Sequence, residues 1–165
     1  MKKWLVFYTK SRHEKKVRDL LLKKGCNVFL PLKKVMRQWS DRKKKVEVPL
    51  FNSYIFVFES EDQISDILQV PGISWNIRYN NKPAELRPDE LEVIKRFLDS
   101  GLFVETEKSE RVNVGDVVEV IDGPLKGLKG NVVRSAAGNK FFVVLESIQQ
   151  NIMVEIDPLV LKPIK

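Results

Sequence analysis

The chain has 165 residues, room for one ordinary domain or two small ones. Hydrophobic residues make up 43% and charged residues 31%, a balance suited to folded cores with a solvated surface. No apolar run approaches the length of a membrane span, and one cysteine with one histidine excludes an internal disulfide and a structural zinc site.

The formal charge of +7 is spread unevenly. Residues 1–58 hold 16 Lys/Arg against 4 Asp/Glu, residues 59–110 hold 6 against 12, and residues 111–165 hold 7 against 6. The basic character therefore belongs to the first third, an electrostatic footprint for nucleic acid or an acidic protein surface. The N-terminal apolar run ends after five residues with no small-residue cleavage site behind it, so a cytoplasmic location is expected.

In chain order, Trp4 to Thr9 predicts a strand, rich in aromatic and β-branched residues. Ser11 with Glu14 three residues later has capping-box spacing, and Val17, Leu20 and Leu21 then share a helical face as far as Lys24. Gly25 stops the helix, and Asn27 to Leu30 predicts a short strand ended by Pro31. Residues 33–39 and 43–48 read as the arms of a hairpin turning at Ser40, Asp41 and Arg42. Pro49 to Ser53 is a loop, and Tyr54 to Phe58 a strong strand. A short helix capped by Ser60 is expected over 60–69, a turn at 70–73, a strand over 75–79 and a turn at Asn80 and Asn81. Pro88, Asp89 and Glu90 open a helix through Leu98, with proline in its first turn and acids at the positive end of its dipole. Residues 104–111 are charged, lack apolar periodicity and read as a linker. Beyond it, short strands separated by turn signals are expected over 112–121, 131–134, 140–145, 151–156 and 159–161, a small five-stranded β-barrel.

The most specific segment runs from Gly115 and Asp116 through Gly123, Pro124, Gly127 and Gly130 to Val133. It is a strand, a tight turn and a returning strand. A phosphate-binding loop is a poor reading of these glycines, because no Gly-Lys-Ser/Thr and no following helix are present. The segment resembles the KOW motif. The first half, with Trp4 to Lys10, the amphipathic helix, Pro49-Leu-Phe and Tyr54-Ile-Phe-Val, is similar to the N-terminal (NGN) domain of the NusG/RfaH family. The Tyr54 and Phe56 pattern and the short length look like the specialised, RfaH-like paralogues.

That resemblance implies an α+β chain of an NGN-like antiparallel sheet with flanking helices (1–103), a linker (104–111) and a KOW, SH3-like barrel (112–165). It implies a monomeric, non-enzymatic transcription elongation or antitermination factor without cofactor or metal. RNA polymerase would be its partner, gripped at the clamp helices of the largest subunit through Tyr8, Phe51, Tyr54 and Phe56. NusE or Rho would be recruited through the barrel, and upstream-fork or non-template DNA would lie near the basic N-terminal half. For that DNA the residue types nominate Lys10, Arg12, Lys15 and Lys16 with Arg42, Lys43, Lys44 and Lys45, since lysine and arginine neutralise phosphates without reading sequence. The barrel sequence is β-favouring at Phe141 to Leu145 and Ile152 to Ile156, so the helical refolding known from RfaH is not expected. The alternative reading is a ribosome- or RNA-binding KOW protein that never meets polymerase. Two acidic clusters, at Glu59, Glu61 and Asp62 and at Asp89, Glu90 and Glu92, have no histidine or cysteine beside them and do not make a catalytic or metal centre.

Overall fold

The structure, a computed structural model, describes residues 1–109, 116–135 and 138–164. It divides into two compact units, Met1–Pro88 and Asp89–Lys165.

The first unit is built on an antiparallel sheet. Strand β1 (Lys3–Thr9) is its centre, paired on one side with β5 (Tyr54–Glu59) and on the other with β6 (Ile73–Asn76). Strand β2 (Asn27–Phe29) adds beyond β5. A separate ribbon pairs β3 (Leu32–Gln38) with β4 (Lys43–Pro49). Two-residue strands β7 (Arg78–Tyr79) and β8 (Lys82–Pro83) flank the turn at Asn80 and Asn81, whose φ of 54° and 64° suits asparagine. Strand β9 (Glu85–Leu86) returns to β1.

Period-two alternation divides the sheet into two faces. Leu5, Phe7, Ile55 and Val57 point to one face and are buried. Helix α1 (Glu14–Lys23) covers them with Val17 and Leu21, and the short helix α2 (Ile64–Ile67) with Ile64 and Ile67. Burying each such side chain is worth about 1.5–3 kcal/mol, so this cluster holds the unit together.

Three local expectations change. Ser11 does not cap α1; its N-cap is His13, with no side-chain cap bond. The Glu14 carboxylate is instead buried and accepts from the Ser53 backbone N–H at 2.8 Å, tying the helix start to the loop before β5. The helix expected over 60–69 is a 3₁₀ turn, Glu61–Gln63, followed by α2, and Ser60 makes no cap bond to its backbone. The strand expected over 75–79 is divided between β6 and β7.

The second unit opens with α3, which runs Pro88–Asp99 and stops before Gly101, φ +77°. Its antiparallel sheet comprises β10 (Val104–Lys108), β11 (Asp116–Val120), β12 (Lys129–Ser135), β13 (Gly138–Leu145), β14 (Gln150–Glu155) and β15 (Leu161–Pro163), in the order β10-β14-β13-β12-β11-β15. This is the expected barrel-like sheet with one strand more. Residues 104–108 of the expected linker are that strand: Val104 pairs with Val154 and Lys108 with Gln150. A ladder of backbone hydrogen bonds needs no apolar alternation, which is why the segment reads as a linker. The units also divide near Pro88 rather than at 103, because α3 packs on the strands that follow it. Phe97 stacks on Phe141 with ring centroids 6.2 Å apart, and the buried Glu90 carboxylate accepts from the Ser147 N–H at 3.1 Å. Residues 110–115, including Gly115, lie outside the described residues.

Candidate functional site

Two surfaces of the first unit collect the residues singled out by the sequence. The first is the sheet face opposite α1. The β5-β1-β6 register sets Tyr54, Tyr8 and Trp75 side by side across three strands. Tyr8 stacks on Trp75 with centroids 4.7 Å apart and planes within 1°, and meets Tyr54 edge-on at 5.8 Å. The next row holds Phe29, Phe56 and Val6, and the third Phe58, Trp4 and Leu86. Phe51 reaches in from the loop, 6.4 Å from Tyr54 and 6.2 Å from Phe56. Offset and edge-on pairs of this kind are worth about 0.5–1.5 kcal/mol each beyond burial, so the rings hold one another in place.

Exposure separates the four expected polymerase contacts. Tyr8 and Tyr54 are half-buried. Phe56 is 0% exposed and Phe51 3%, enclosed by each other and, for Phe56, by Phe29. These two phenylalanines underlie the surface and do not form it. Trp75, 54% exposed, belongs to the row although periodicity does not reveal it. Its place depends on β6 pairing with β1 across more than sixty residues of chain. Tyr79 hydrogen-bonds Tyr54; burial foremost, and then the neighbouring Tyr54, push its phenol above the ordinary tyrosine range.

The second surface is basic. Lys10, Arg12, Lys15 and Lys16 are exposed around the start of α1. Lys15 Nζ donates to the Glu47 carbonyl at 2.6 Å and clasps the helix to β4. Between them lies an open groove of about 430 Å³, lined by Arg12 and Lys15 together with Arg37, which the sequence reading passes over. Glu14 and Glu47 also line it, so its charge is mixed. Arg42 to Lys45 do not reach this groove. They sit at the far end of the ribbon, and the register divides them: Lys43 and Lys45 lie on the face with Met36, while Lys44 lies opposite Arg37 on the other. Two like charges about 6 Å apart in water repel by roughly 0.7 kcal/mol, a cost that an anionic partner would remove.

In the second unit the glycine-rich turn is built as expected. Gly123 and Gly127 have φ of +87° and +92°, and Gly127 donates to the Val120 carbonyl at 2.8 Å. Gly130 is needed for a different reason: a Cβ there would collide with the Phe142 carbonyl and stand 2.9 Å from the Phe141 ring. Pro124 is exposed, and its carbonyl and that of Lys126 accept from Arg96 Nη2 at 3.1 and 2.8 Å. Asp116 is exposed at the start of β11.

The acidic clusters have structural partners. Glu59 and Glu61 pair with Lys2 and Lys3 at 3.9 and 3.5 Å. Among the described residues no group of three His, Cys, Asp or Glu is placed to hold a metal ion, and no helix is long and apolar enough to cross a membrane. Burial foremost, then the Glu59 charge, raises the Cys26 thiol above its usual range.

An aromatic sheet face, a basic ribbon and a second, barrel-like unit with a glycine-rich turn define a two-module class of α+β protein. Comparison with known proteins gives that class its family. The family described as transcription termination factor nusG matches residues 2–95. Two relatives described as transcription termination/antitermination protein NusG are similar along most of the chain. That of Streptococcus pyogenes is 25% identical over 170 residues, spanning 94% of this chain and 93% of its own, and that of Rickettsia felis 26% identical over 143 residues, spanning 80% and 74%. A solved structure concerned with domain interaction in Thermotoga maritima NusG superposes with a TM-score of 0.59 at 19% identity, covering 100% of this chain and 98% of that one, a likeness of fold. The chain belongs to the NusG family, and it is a transcription termination/antitermination factor.

Proposed function

We propose that the protein acts on transcribing RNA polymerase, docking through the aromatic face of its first unit and changing termination. The observation that carries this reading is the row Tyr54, Tyr8, Trp75. Sheet cores seldom leave a tryptophan half in solvent beside two half-buried tyrosines, and such aromatic rows are what protein interfaces use as anchors. The docking residues are Tyr8, Tyr54 and Trp75, with Phe51 and Phe56 as their rigid backing. The partner is the clamp helices of the largest polymerase subunit.

Lys10, Arg12, Lys15 and Lys16 then hold DNA near the upstream fork by charge, as does the ribbon end at Arg42 to Lys45. The barrel-like unit recruits a further factor, NusE or Rho. The protein works as a cytoplasmic monomer without catalysis of its own. The experiment is capture of purified bacterial RNA polymerase by the full chain at low salt. Capture that Tyr54→Ala abolishes supports the reading. No capture, or capture indifferent to Tyr54→Ala, returns the protein to the rival reading of an RNA-binding KOW protein.

A further inference from the structure

The β3–β4 ribbon carries more than a charge cluster. Every residue from Met36 to Lys45 is exposed, so the outer half of the ribbon stands in solvent. Between Leu32 and Pro49 there are seven Lys/Arg and two Asp/Glu. The register runs on past β3, for the Trp39 N–H donates to the Arg42 carbonyl at 2.7 Å. Trp39 therefore faces Arg42, two residues along from Arg37 facing Lys44, and period-two geometry puts all four on one face. Trp39 is 53% exposed at the end of that face. Among the described residues none of the three cations forms an ion pair.

We propose that this face binds single-stranded nucleic acid, with a base stacked on the Trp39 indole and Arg37, Arg42 and Lys44 set against the phosphates on either side. An indole face in solvent, ringed by cations, is the combination that sequence-blind single-strand binding uses. A duplex offers the phosphates but keeps its bases stacked, so the indole finds no face there without unstacking a step. A protein partner that matched the cations would have to be strongly acidic, and it would not require an aromatic platform among them. The proposal rests on the nucleic-acid reading of the ribbon given above and adds to it the strandedness and the aromatic contact.

The test uses the full chain and three fluorescein-labelled probes of one mixed sequence: single-stranded 12-mers of DNA and of RNA, and the matching DNA duplex. Anisotropy is read across a salt series. The wild type should bind at least one of the single strands more tightly than the duplex. Trp39→Ala should weaken that binding about fivefold or more and leave the slope against log salt unchanged, and Trp39→Phe should restore most of it. The double variant Arg37→Gln/Lys44→Gln should instead flatten the slope, by roughly 1.4 for two single-strand phosphates. Preference for the duplex, or Trp39→Ala within twofold of wild type, overturns the proposal. In that event a slope still flattened by the cation pair leaves the ribbon's charge reading standing, while no salt-dependent binding by the wild type removes both. Trp39 is exposed, so a circular dichroism spectrum identical to wild type is expected of its variants.

Discussion

Removing Trp75 and removing Phe56 should have opposite consequences, although both rings belong to one aromatic face. Phe56 is 0% exposed, enclosed between Phe29 and Phe51. Phe56→Ala leaves a cavity the sheet cannot close, and such truncations cost about 3–5 kcal/mol, much of a small domain's stability. Trp75 is 54% exposed, and its ring stacks on Tyr8 with centroids 4.7 Å apart. Trp75→Ala therefore forfeits one aromatic pair, about 0.5–1.5 kcal/mol, and with 165 residues the midpoint should fall by only a few degrees. At an interface the same ring is an anchor, and anchors of this type contribute about 2 kcal/mol or more, a loss of roughly thirtyfold in affinity. The assay pairs thermal melting by circular dichroism with a titration of labelled protein against polymerase. Trp75→Ala should melt nearly as wild type and bind about thirtyfold more weakly. A folded Trp75→Ala that binds within twofold of wild type would refute the reasoning that makes this row a docking surface.

Further predictions concern the frame. Gly130→Ala should destabilise the barrel-like unit by about 1–3 kcal/mol, since the new Cβ meets both the Phe142 carbonyl and the Phe141 ring; denaturant melts of the variant test this. Glu14→Ala should cost about 1–3 kcal/mol, because the Ser53 N–H is left buried without its acceptor; Glu14→Gln, which keeps an acceptor, should recover part of it. The Tyr79 phenol is raised by burial and by Tyr54, so between its unfolded value near 10 and its folded value the native state holds the extra proton. Its stabilising share is thus complete below about pH 10 and is lost as pH rises through the folded value. Tyr79→Phe should flatten the alkaline limb of a stability profile, and an unchanged limb would count against the assignment.

Much of the fold was legible because its signals are local. The alternation in Trp4 to Thr9 and Tyr54 to Phe58 is local, and period two alone sorts their side chains between the two faces of the central sheet. The Gly123 to Gly130 turn was legible for the same reason, since two of its glycines take up positive φ that their neighbours could not. What escaped the sequence is set by distance along the chain. Ser11 and Glu14 have capping-box spacing, yet the Ser53 N–H, 39 residues away, competes for the carboxylate and wins. Val104 to Lys108 has no strand pattern and becomes a strand because β14 offers it an edge. Trp75 joins Tyr8 only through β6, and the division of Arg42 to Lys45 between two ribbon faces follows from a register no composition reveals. Phe51 and Phe56, expected at the contact surface, are buried in the layer beneath it, because their burial depends on rings brought together by the fold.

The central claim is that the chain changes what RNA polymerase does at a terminator. Its most direct test is a run-off transcription reaction with purified bacterial polymerase on a template bearing one terminator, with the full protein titrated in. The account predicts a change in the fraction of transcripts passing the terminator that saturates with protein and needs about thirtyfold more protein with Trp75→Ala. A readthrough fraction that stays constant from no protein to a large excess would contradict it.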